Sequence, residues 1–179
     1  MASMHLITGG SRSGKSRYAQ ALAEACPGPR LYVATMPALD EEMRARIRRH
    51  REERAAGGWE TREEQCDLAG VLAGSEGYSV RLVDCLTAWV SNLMYHAEQA
   101  GREVTEEEVA ECCREVAEVC AGLAGSVVLV TNEVGMGIVP DNPRGRRFRD
   151  LAGRGNQAIA AAADSVTLLA CGCPLKLKG

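Results

Sequence analysis

A glycine-rich stretch near the start of the chain has the residue types and the spacing to bind phosphate. It matches the pattern G-x-x-x-x-G-K-S/T and reads Gly9, Gly10, Ser11, Arg12, Ser13, Gly14, Lys15, Ser16. Glycines let backbone N–H groups turn toward an anion, and a helix that follows adds the positive end of its dipole. We expect Lys15 to reach the β- and γ-phosphates and the Ser16 hydroxyl to bind magnesium. The pattern therefore predicts binding of a nucleoside triphosphate with Mg²⁺.

A carboxylate on the magnesium side of such a site is expected at the end of a neighbouring strand. Two residues qualify, Asp84 after the apolar run 80–83 and Glu133 after residues 127–132, and Asp84 fits the role better. Either residue could instead cap a strand or form a turn. The chain has no N-K-x-D motif, which argues against guanine recognition of the kind used by switch GTPases.

Residues 40–54 combine many arginines with glutamates and one histidine. At helical spacing His50 shares a stripe with Met43 and Ile47, on the apolar side of the helix. Neighbouring arginines disfavour protonation of an imidazole, which keeps it nucleophilic, and they also attract phosphate. This arrangement suits nucleotidyl transfer through a phosphoramidate. The alternative is a solvated helix stabilised by ion pairs one turn apart.

Short apolar runs rich in β-branched residues predict the strands that position these groups. The runs are 5–8, 31–34, 80–83, 127–130 and 166–169. Between them apolar residues recur every three or four positions, and Thr105 with Glu108 predicts a capping box at the start of one helix. Strands that alternate with helices predict an α/β fold with a mostly parallel sheet and helices on both faces. Ligands of such sheets bind at the carboxyl ends of the strands.

Length and composition limit the classes of protein to which the chain can belong. A chain of 179 residues suggests a single domain over 1–179. A net charge of −3 and an aromatic content of 4% argue against a nucleic-acid partner. We expect a cytoplasmic protein without a membrane span, because no apolar run is long enough and the start does not resemble a signal peptide. The eight cysteines are expected to be mostly buried free thiols, since their spacing does not suit zinc.

Five longer stretches together carry a resemblance to a known family. They are I-T-G-G-S-R-S-G-K-S-R at 7–17, Y-V-A-T at 32–35, D-E-E-M-R-A-R-I-R-R-H-R at 40–51, T-N-E-V-G-M-G-I-V-P at 131–140 and F-R-D-L-A-G-R-G-N-Q at 148–157. The sequence resembles the bifunctional adenosylcobinamide kinase and adenosylcobinamide-phosphate guanylyltransferase family of cobalamin biosynthesis. The resemblance implies a P-loop (RecA-like) fold and a homotrimer with active sites near subunit boundaries.

The resemblance also implies two reactions that need magnesium and GTP or ATP. In the first, the aminopropanol hydroxyl of adenosylcobinamide is phosphorylated. In the second, GMP passes from GTP to that phosphate through a guanylyl-histidine, giving adenosylcobinamide-GDP and pyrophosphate. The family histidine falls on His50, which with Lys15 is expected to be catalytic, and Ser16 and Asp84 are expected to bind the metal.

Further nucleotide contacts follow from the resemblance by position. Beyond the loop 9–16, they fall on Ala34, Thr35, Met36, Arg51, Glu52, Glu53, Arg54, Glu63 and Asp84. Family members often have glutamate where this chain has Asp84, and the shorter acid can reach magnesium differently. The role of the glycine-rich segment around Asn132 and Glu133 stays open between direct chemistry and support of subunit contacts. The arginines of 144–149 could bind triphosphate or corrinoid, or lie in solvent.

Three other functions remain open from the sequence alone. A P-loop small-molecule kinase without the transfer step would produce phosphorylated cobinamide that is never guanylylated. A non-catalytic nucleotide-dependent regulatory or nucleic-acid-binding module would use the basic residues 44–54, and its affinity would fall steeply with salt. A RecA-like ATPase subunit is the third, although the short chain leaves little room for segments that engage partners.

Overall fold

The computed structural model describes residues 2–37, 41, 45, 48, 52, 54 and 57–179. Its strands are β1 (Ser3–Gly9), β2 (Arg30–Ala34), β3 (Trp59–Glu63), β4 (Val80–Asp84), β5 (Ser126–Val130), β6 (Ser165–Ala170) and β7 (Cys173–Lys178). Its helices outside residues 38–56 are α1 (Lys15–Glu24), α2 (Leu68–Ala73), α3 (Leu86–Gln99), α4 (Glu106–Gly122) and α5 (Pro143–Ala162). Residues 41, 45, 48, 52 and 54 also have helical backbone, in agreement with the helix predicted over 40–54.

The strands described here form one sheet in the order β3-β2-β4-β5-β1-β6-β7. Strands β1 to β6 pair in parallel, and β7 runs antiparallel to β6. The five predicted strands are confirmed as β1, β2, β4, β5 and β6, with small extensions. The structure adds β3 and β7 at the two edges of the sheet. An edge strand has one solvated side, so its residues need not form the apolar run by which buried strands are recognised.

Helices cover both faces of the sheet, as predicted, because alternate strand residues point to opposite sides. Leu6 and Leu129 belong to the apolar cluster formed with α2 to α5. Ile7 and Val128, their immediate chain neighbours, belong to the cluster that includes Ala19 of α1. The two clusters pack against opposite faces of the sheet. They thereby support its carboxyl edge, from which the loops that follow the strands extend.

Two helices are delimited by capping side chains. The capping box predicted at Thr105 and Glu108 is present at the start of α4. Helix α5, which the apolar periodicity did not predict, begins where the Asn142 side chain accepts the Gly145 N–H at 2.7 Å. A Cβ at Gly155 of α5 would lie 3.3 Å from the Cys113 sulfur of α4, so glycine allows the two helices to pack closely.

The cysteines are free thiols, but the expectation that most of them are buried is wrong. Cys85, Cys113 and Cys120 are buried, whereas Cys171 and Cys173 are exposed and the other three are half-buried. The two exposed cysteines lie where β6 turns into the edge strand β7. No helix within the described residues is both long enough and apolar enough to cross a membrane.

Candidate active site

The phosphate-binding loop lies between the end of β1 and the start of α1, as the sequence predicts, and two of its glycines are needed for its shape. Gly9 has φ +155°, and a Cβ there would lie 2.5 Å from the Leu169 carbonyl oxygen. Gly14 is the N-cap of α1 with φ +93°. Because glycine supplies no capping side chain, the N–H groups of the first turn of α1 are available to an anion.

Cations and backbone amides surround an open cavity of about 510 Å³ at this loop. Arg12, Lys15, Ser16 and Arg17 are among the side chains that line it. The Lys15 Nζ donates to the Gly10 carbonyl at 3.1 Å, which keeps the amine beside the loop. The buried Ser13 hydroxyl, which also lines the cavity, has no hydrogen-bond partner among the described residues. An unpartnered buried hydroxyl is costly, so the cavity fits an oxyanion ligand.

Three predicted site residues fall in one row across the sheet. The pairing register places Asp84 of β4 opposite Ala34 of β2, and Ala34 opposite Glu63 of β3. On its other side Asp84 pairs with Val130 of β5, which pairs with Ile7 just before the phosphate loop. The parallel strands β1 to β5 thus bring these residues to the same carboxyl edge of the sheet as the phosphate loop. Ligands of such sheets bind at this edge.

Asp84 and Ser16 line a second cavity, of about 420 Å³, between α1 and the sheet. The Tyr32 hydroxyl donates to Asp84 Oδ2 at 3.2 Å. Burial and the nearby Asp84 carboxylate raise the pKa of Tyr32 far above its usual range, so the phenol stays a neutral donor. The Asp84 carboxylate is therefore oriented by a residue that the sequence did not single out.

Arg54 packs against the aromatic ring of Tyr32. Its guanidinium carbon is 3.5 Å from the centre of the Tyr32 ring, a cation–π contact. The residue is only 5% exposed, and its Nε has no hydrogen-bond partner among the described residues. Arg54 also lines the cavity shared by Ser16 and Asp84. Arg54, one of the residues that the family resemblance assigned to nucleotide binding, is thus a buried cation that lines this cavity.

The segment after β2 is attached to β4 and α3. Thr35 is fully buried; its hydroxyl donates to the Cys85 carbonyl at 2.7 Å and accepts the Cys85 N–H at 2.8 Å. The Asn92 amide of α3 donates to the carbonyls of Thr35, at 2.7 Å, and Gln65, at 3.0 Å. Asn92 therefore bridges the segments that follow β2 and β3. The next residue, Met36, is exposed at the surface.

A buried polar network fixes the segment after β5. The Thr131 hydroxyl donates to Asn156 Oδ1 at 2.6 Å and lies 3.1 Å from the Thr87 hydroxyl. The Asn132 N–H donates to Thr87 Oγ1, and its carbonyl accepts the Asn156 amide. Helices α3 and α5 thereby hold the chain at the point where it leaves the sheet beside the phosphate loop.

Glu133 is used locally, in agreement with the turn role that the sequence left open. Its N–H donates to the Gly9 carbonyl at 3.1 Å, and its carboxylate accepts the Gly135 N–H at 2.9 Å. Asp84, by contrast, lines a cavity with Ser16. The lining of that cavity does not include Glu133, so of the two strand-end acids Asp84 is the one that shares a cavity with the Ser16 side chain.

The four arginines at the start of α5 contact protein groups. Arg144 binds Glu98 through two nitrogens, Arg146 donates to the carbonyls of residues 140 and 141, and Arg147 forms an ion pair with Glu103. The Arg149 guanidinium donates to the Gly135 carbonyl at 2.6 Å, which links α5 to the loop after β5.

The remaining predicted site residues differ in whether the structure describes them. His50, Arg51 and Glu53 lie outside the described residues. Glu52 is exposed and has helical backbone, and Glu63 is exposed at the end of the edge strand β3.

Comparison with known proteins gives the family. A family model described as cobinamide kinase / cobinamide phosphate guanyltransferase matches residues 5–177. The chain belongs to this family. It is 43% identical to the bifunctional adenosylcobalamin biosynthesis protein CobU of Salmonella typhimurium, with 98% of this chain and 99% of the relative aligned. It is 42% identical to the protein CobP of Pseudomonas aeruginosa, named in the same way, over 97% of this chain and 96% of the relative.

Solved structures with little sequence identity share the fold. The ATPase of a bacterial type III secretion system has a TM-score of 0.62 at 8% identity, covering 93% of this chain and 50% of that one. The flagellar accessory protein FlaH of Methanocaldococcus jannaschii has a TM-score of 0.56 at 14% identity, covering 98% of this chain and 78% of that one. This member of the cobinamide kinase family thus has the P-loop, RecA-like fold that the sequence predicts.

The sequence missed the residues that orient the predicted groups in this family member. Tyr32 and Asn92 act through hydrogen bonds to Asp84 and Thr35, which lie 52 and 57 residues away along the chain. Tyr32 occurs in the family stretch 32–35, and this was the sequence signal that could have identified it. Asn92 lies within the apolar pattern of α3, where a single amide gives no sequence signal.

Proposed function

We propose that this chain phosphorylates adenosylcobinamide with a nucleoside triphosphate and then transfers GMP from GTP to the product, forming adenosylcobinamide-GDP and pyrophosphate. The observation that carries the proposal is that Ser16, the last residue of the phosphate loop, and Asp84 line one cavity, in a chain that belongs to the cobinamide kinase family. Its relatives are named bifunctional.

In the kinase step the loop binds and orients the triphosphate. Lys15 and the N–H groups at the start of α1 compensate charge on the β- and γ-phosphates as the bond to the γ-phosphorus breaks. Ser16 and Asp84 would hold Mg²⁺, and they fit it because a hydroxyl and a carboxylate oxygen line one cavity next to the phosphates. Bound there, the ion would neutralise phosphate charge. Tyr32 restrains the Asp84 carboxylate through its hydroxyl.

In the transfer step we assign the nucleophile to His50. The neutral imidazole attacks the α-phosphorus of GTP, a P–N bond forms, and the bond to pyrophosphate breaks. An oxygen of the cobinamide phosphate then attacks the same phosphorus and displaces the imidazole. His50 precedes Arg54 by four residues in the sequence. Arg54 lines the cavity with Ser16 and Asp84, which supports the assignment.

We further propose a cytoplasmic homotrimer with active sites near subunit boundaries. The resemblance to the family suggests this assembly, and the loop after β5 supports it. Ile138 is 95% exposed, Met136 79% and Val139 60%, an apolar surface that a lone chain would leave in water. Light scattering of the purified protein should give three times the chain mass of 19.1 kDa. A monomer at working concentration would exclude the trimer.

The decisive experiment uses GTP labelled at its α-phosphate. We expect acid-labile label on His50 after incubation of the protein with magnesium and this GTP, followed by denaturation and peptide mapping. His50→Ala should remove the label and the GMP transfer while phosphorylation of cobinamide continues. His96→Ala, at an exposed position of α3, is the matched control and should keep the label. Phosphorylated cobinamide without any guanylyl-enzyme, with GTP shown to bind, would instead indicate a kinase alone.

A further inference from the structure

The turn between β6 and β7 forms one wall of the phosphate-loop cavity. Cys171 and Gly172 have φ of 53° and 81°, and the Gly172 N–H donates to the Ser13 carbonyl at 2.9 Å. Cys171 is exposed and lines the same cavity of about 510 Å³ as Lys15 and Ser16. A thiol is therefore present at the mouth of the site where triphosphate is proposed to bind.

The surroundings of this thiol favour an anionic molecule. Arg12, Lys15 and Arg17 line the cavity, and its lining within the described residues includes no carboxylate. Ser13 also belongs to this lining; the residue is more than nine-tenths buried, and its hydroxyl has no hydrogen-bond partner among those residues. Cations and an unpartnered donor attract and retain a small molecule that carries carboxylates or phosphates.

Burial lowers the reactivity of several other cysteines. Burial raises the pKa of the Cys85 thiol to about 11, and that of Cys113 and Cys120 to about 12. Since the thiolate is the reactive form, these thiols are inert near neutral pH. Burial also raises the pKa of Cys66 and Cys112. Cys171 and Cys173 are the cysteines that the structure leaves exposed.

We propose that Cys171 is a thiol-modification site that controls access to the phosphate loop, and that its reagent is a low-molecular-weight disulfide bearing carboxylates. The Cys171 thiolate attacks one sulfur of the disulfide, a new sulfur–sulfur bond forms, and the other half of the reagent leaves as a thiolate. Cysteine is oxidised and half of the reagent is reduced, so the disulfide is the only oxidant required. A free thiol reverses the reaction by the same exchange.

The consequence follows from the position of Cys171 on the cavity wall. An anionic group attached to this sulfur lies among the cations that would otherwise bind phosphates, so it competes with nucleotide for the same space and charge. Modification at Cys173, the first residue of β7, does not have this effect because Cys173 is not part of the cavity lining. The nucleotide in turn shields Cys171 from the reagent.

The test uses the full-length protein and oxidised glutathione. Adducts are mapped by mass spectrometry, and binding of a fluorescent GTP analogue is measured before and after treatment and again after added dithiothreitol. We expect a glutathione adduct on Cys171, loss of analogue binding and recovery with dithiothreitol. Prior binding of magnesium and GTP should slow the labelling of Cys171 but not that of Cys173. The binding readout needs no cobinamide, so its result is separable from that of the proposed reactions.

Two serine variants decide between the cysteines, each compared with its own untreated sample. Cys171→Ser should bind the analogue equally well before and after treatment. Cys173→Ser, two residues away in the same exposed turn, should lose binding as the unaltered protein does. Loss of binding in treated Cys171→Ser would overturn the proposal, and so would full binding by protein that carries glutathione on Cys171.

Discussion

Removal of the Tyr32 hydroxyl should weaken the response to magnesium without altering the fold. The ring of Tyr32 contacts the Arg54 guanidinium at 3.5 Å and the Trp59 ring edge-on at 6.2 Å. Tyr32→Phe retains both ring contacts and deletes only the donor to Asp84 Oδ2. The carboxylate then loses the restraint that orients it toward the cavity shared with Ser16.

The size of the effect follows from the kind of hydrogen bond removed. A hydrogen bond to a charged acceptor contributes about 1.5–3 kcal/mol, while water can replace part of it at a half-buried carboxylate. Because water replaces part of the bond, we expect a loss below this range, about 1 kcal/mol. At about 1.4 kcal/mol per tenfold change, this corresponds to a roughly fivefold higher magnesium concentration at half-maximal kinase rate.

The assay is a magnesium titration of cobinamide phosphorylation at saturating nucleotide, with manganese binding followed independently by electron paramagnetic resonance. Tyr95→Phe provides the control, because Tyr95 is exposed on α3. Thermal unfolding of both variants tests whether they are folded. If Tyr32→Phe has a normal magnesium midpoint and normal manganese affinity, the hydroxyl does not position Asp84 for the metal.

Three further variants and one control variant test the loop and its support. Lys15→Ala should abolish both reactions, measured as phosphorylated and guanylylated cobinamide; retention of either one would mean that the two steps do not share this loop. Gly9→Ala should lower the unfolding free energy by about 1–3 kcal/mol, because its Cβ would lie 2.5 Å from a carbonyl oxygen. Gly10→Ala, where a Cβ meets nothing within 4 Å, should cost far less in the same denaturant titration. Asn156→Ala should cost about 1–3 kcal/mol, because it removes the amide that binds the Asn132 carbonyl and one of the two side-chain partners of the buried Thr131 hydroxyl; an unchanged denaturation midpoint would contradict this role.

The central strands could be predicted because burial on both faces requires continuous apolar residues. In β5 all five residues are buried, and its run of valines and leucine is unambiguous in the sequence. In β7 every residue is exposed, and Lys176 alternates with Leu175 and Leu177. Such a strand is defined by its pairing with β6, a tertiary contact that no local pattern encodes.

Helix α5 was missed because its composition opposes helix formation in isolation. Three glycines, at positions 145, 153 and 155, lower the intrinsic helix propensity of this segment. Its stability comes from packing: Gly155 meets Val109 and Cys113 of α4, and Leu151 is buried in the core. Tertiary packing contributes more here than local propensity, and only the folded chain reveals it.

The candidate site likewise has one part that the local sequence determines and another part that depends on tertiary contacts. A phosphate loop is local, since strand, glycines, lysine and helix follow one another within the segment 3–24, so its position could be read from spacing. The orientation of Asp84 depends on Tyr32, and that of Thr35 on Asn92, through hydrogen bonds between residues far apart in the chain. Because such a bond needs only one suitably placed hydroxyl or amide, many residues could supply it and no spacing rule selects one. The sequence therefore identifies groups that meet the ligand more readily than the groups that hold them, and mutations of the second kind should alter metal response or loop stability before they alter the chemistry itself.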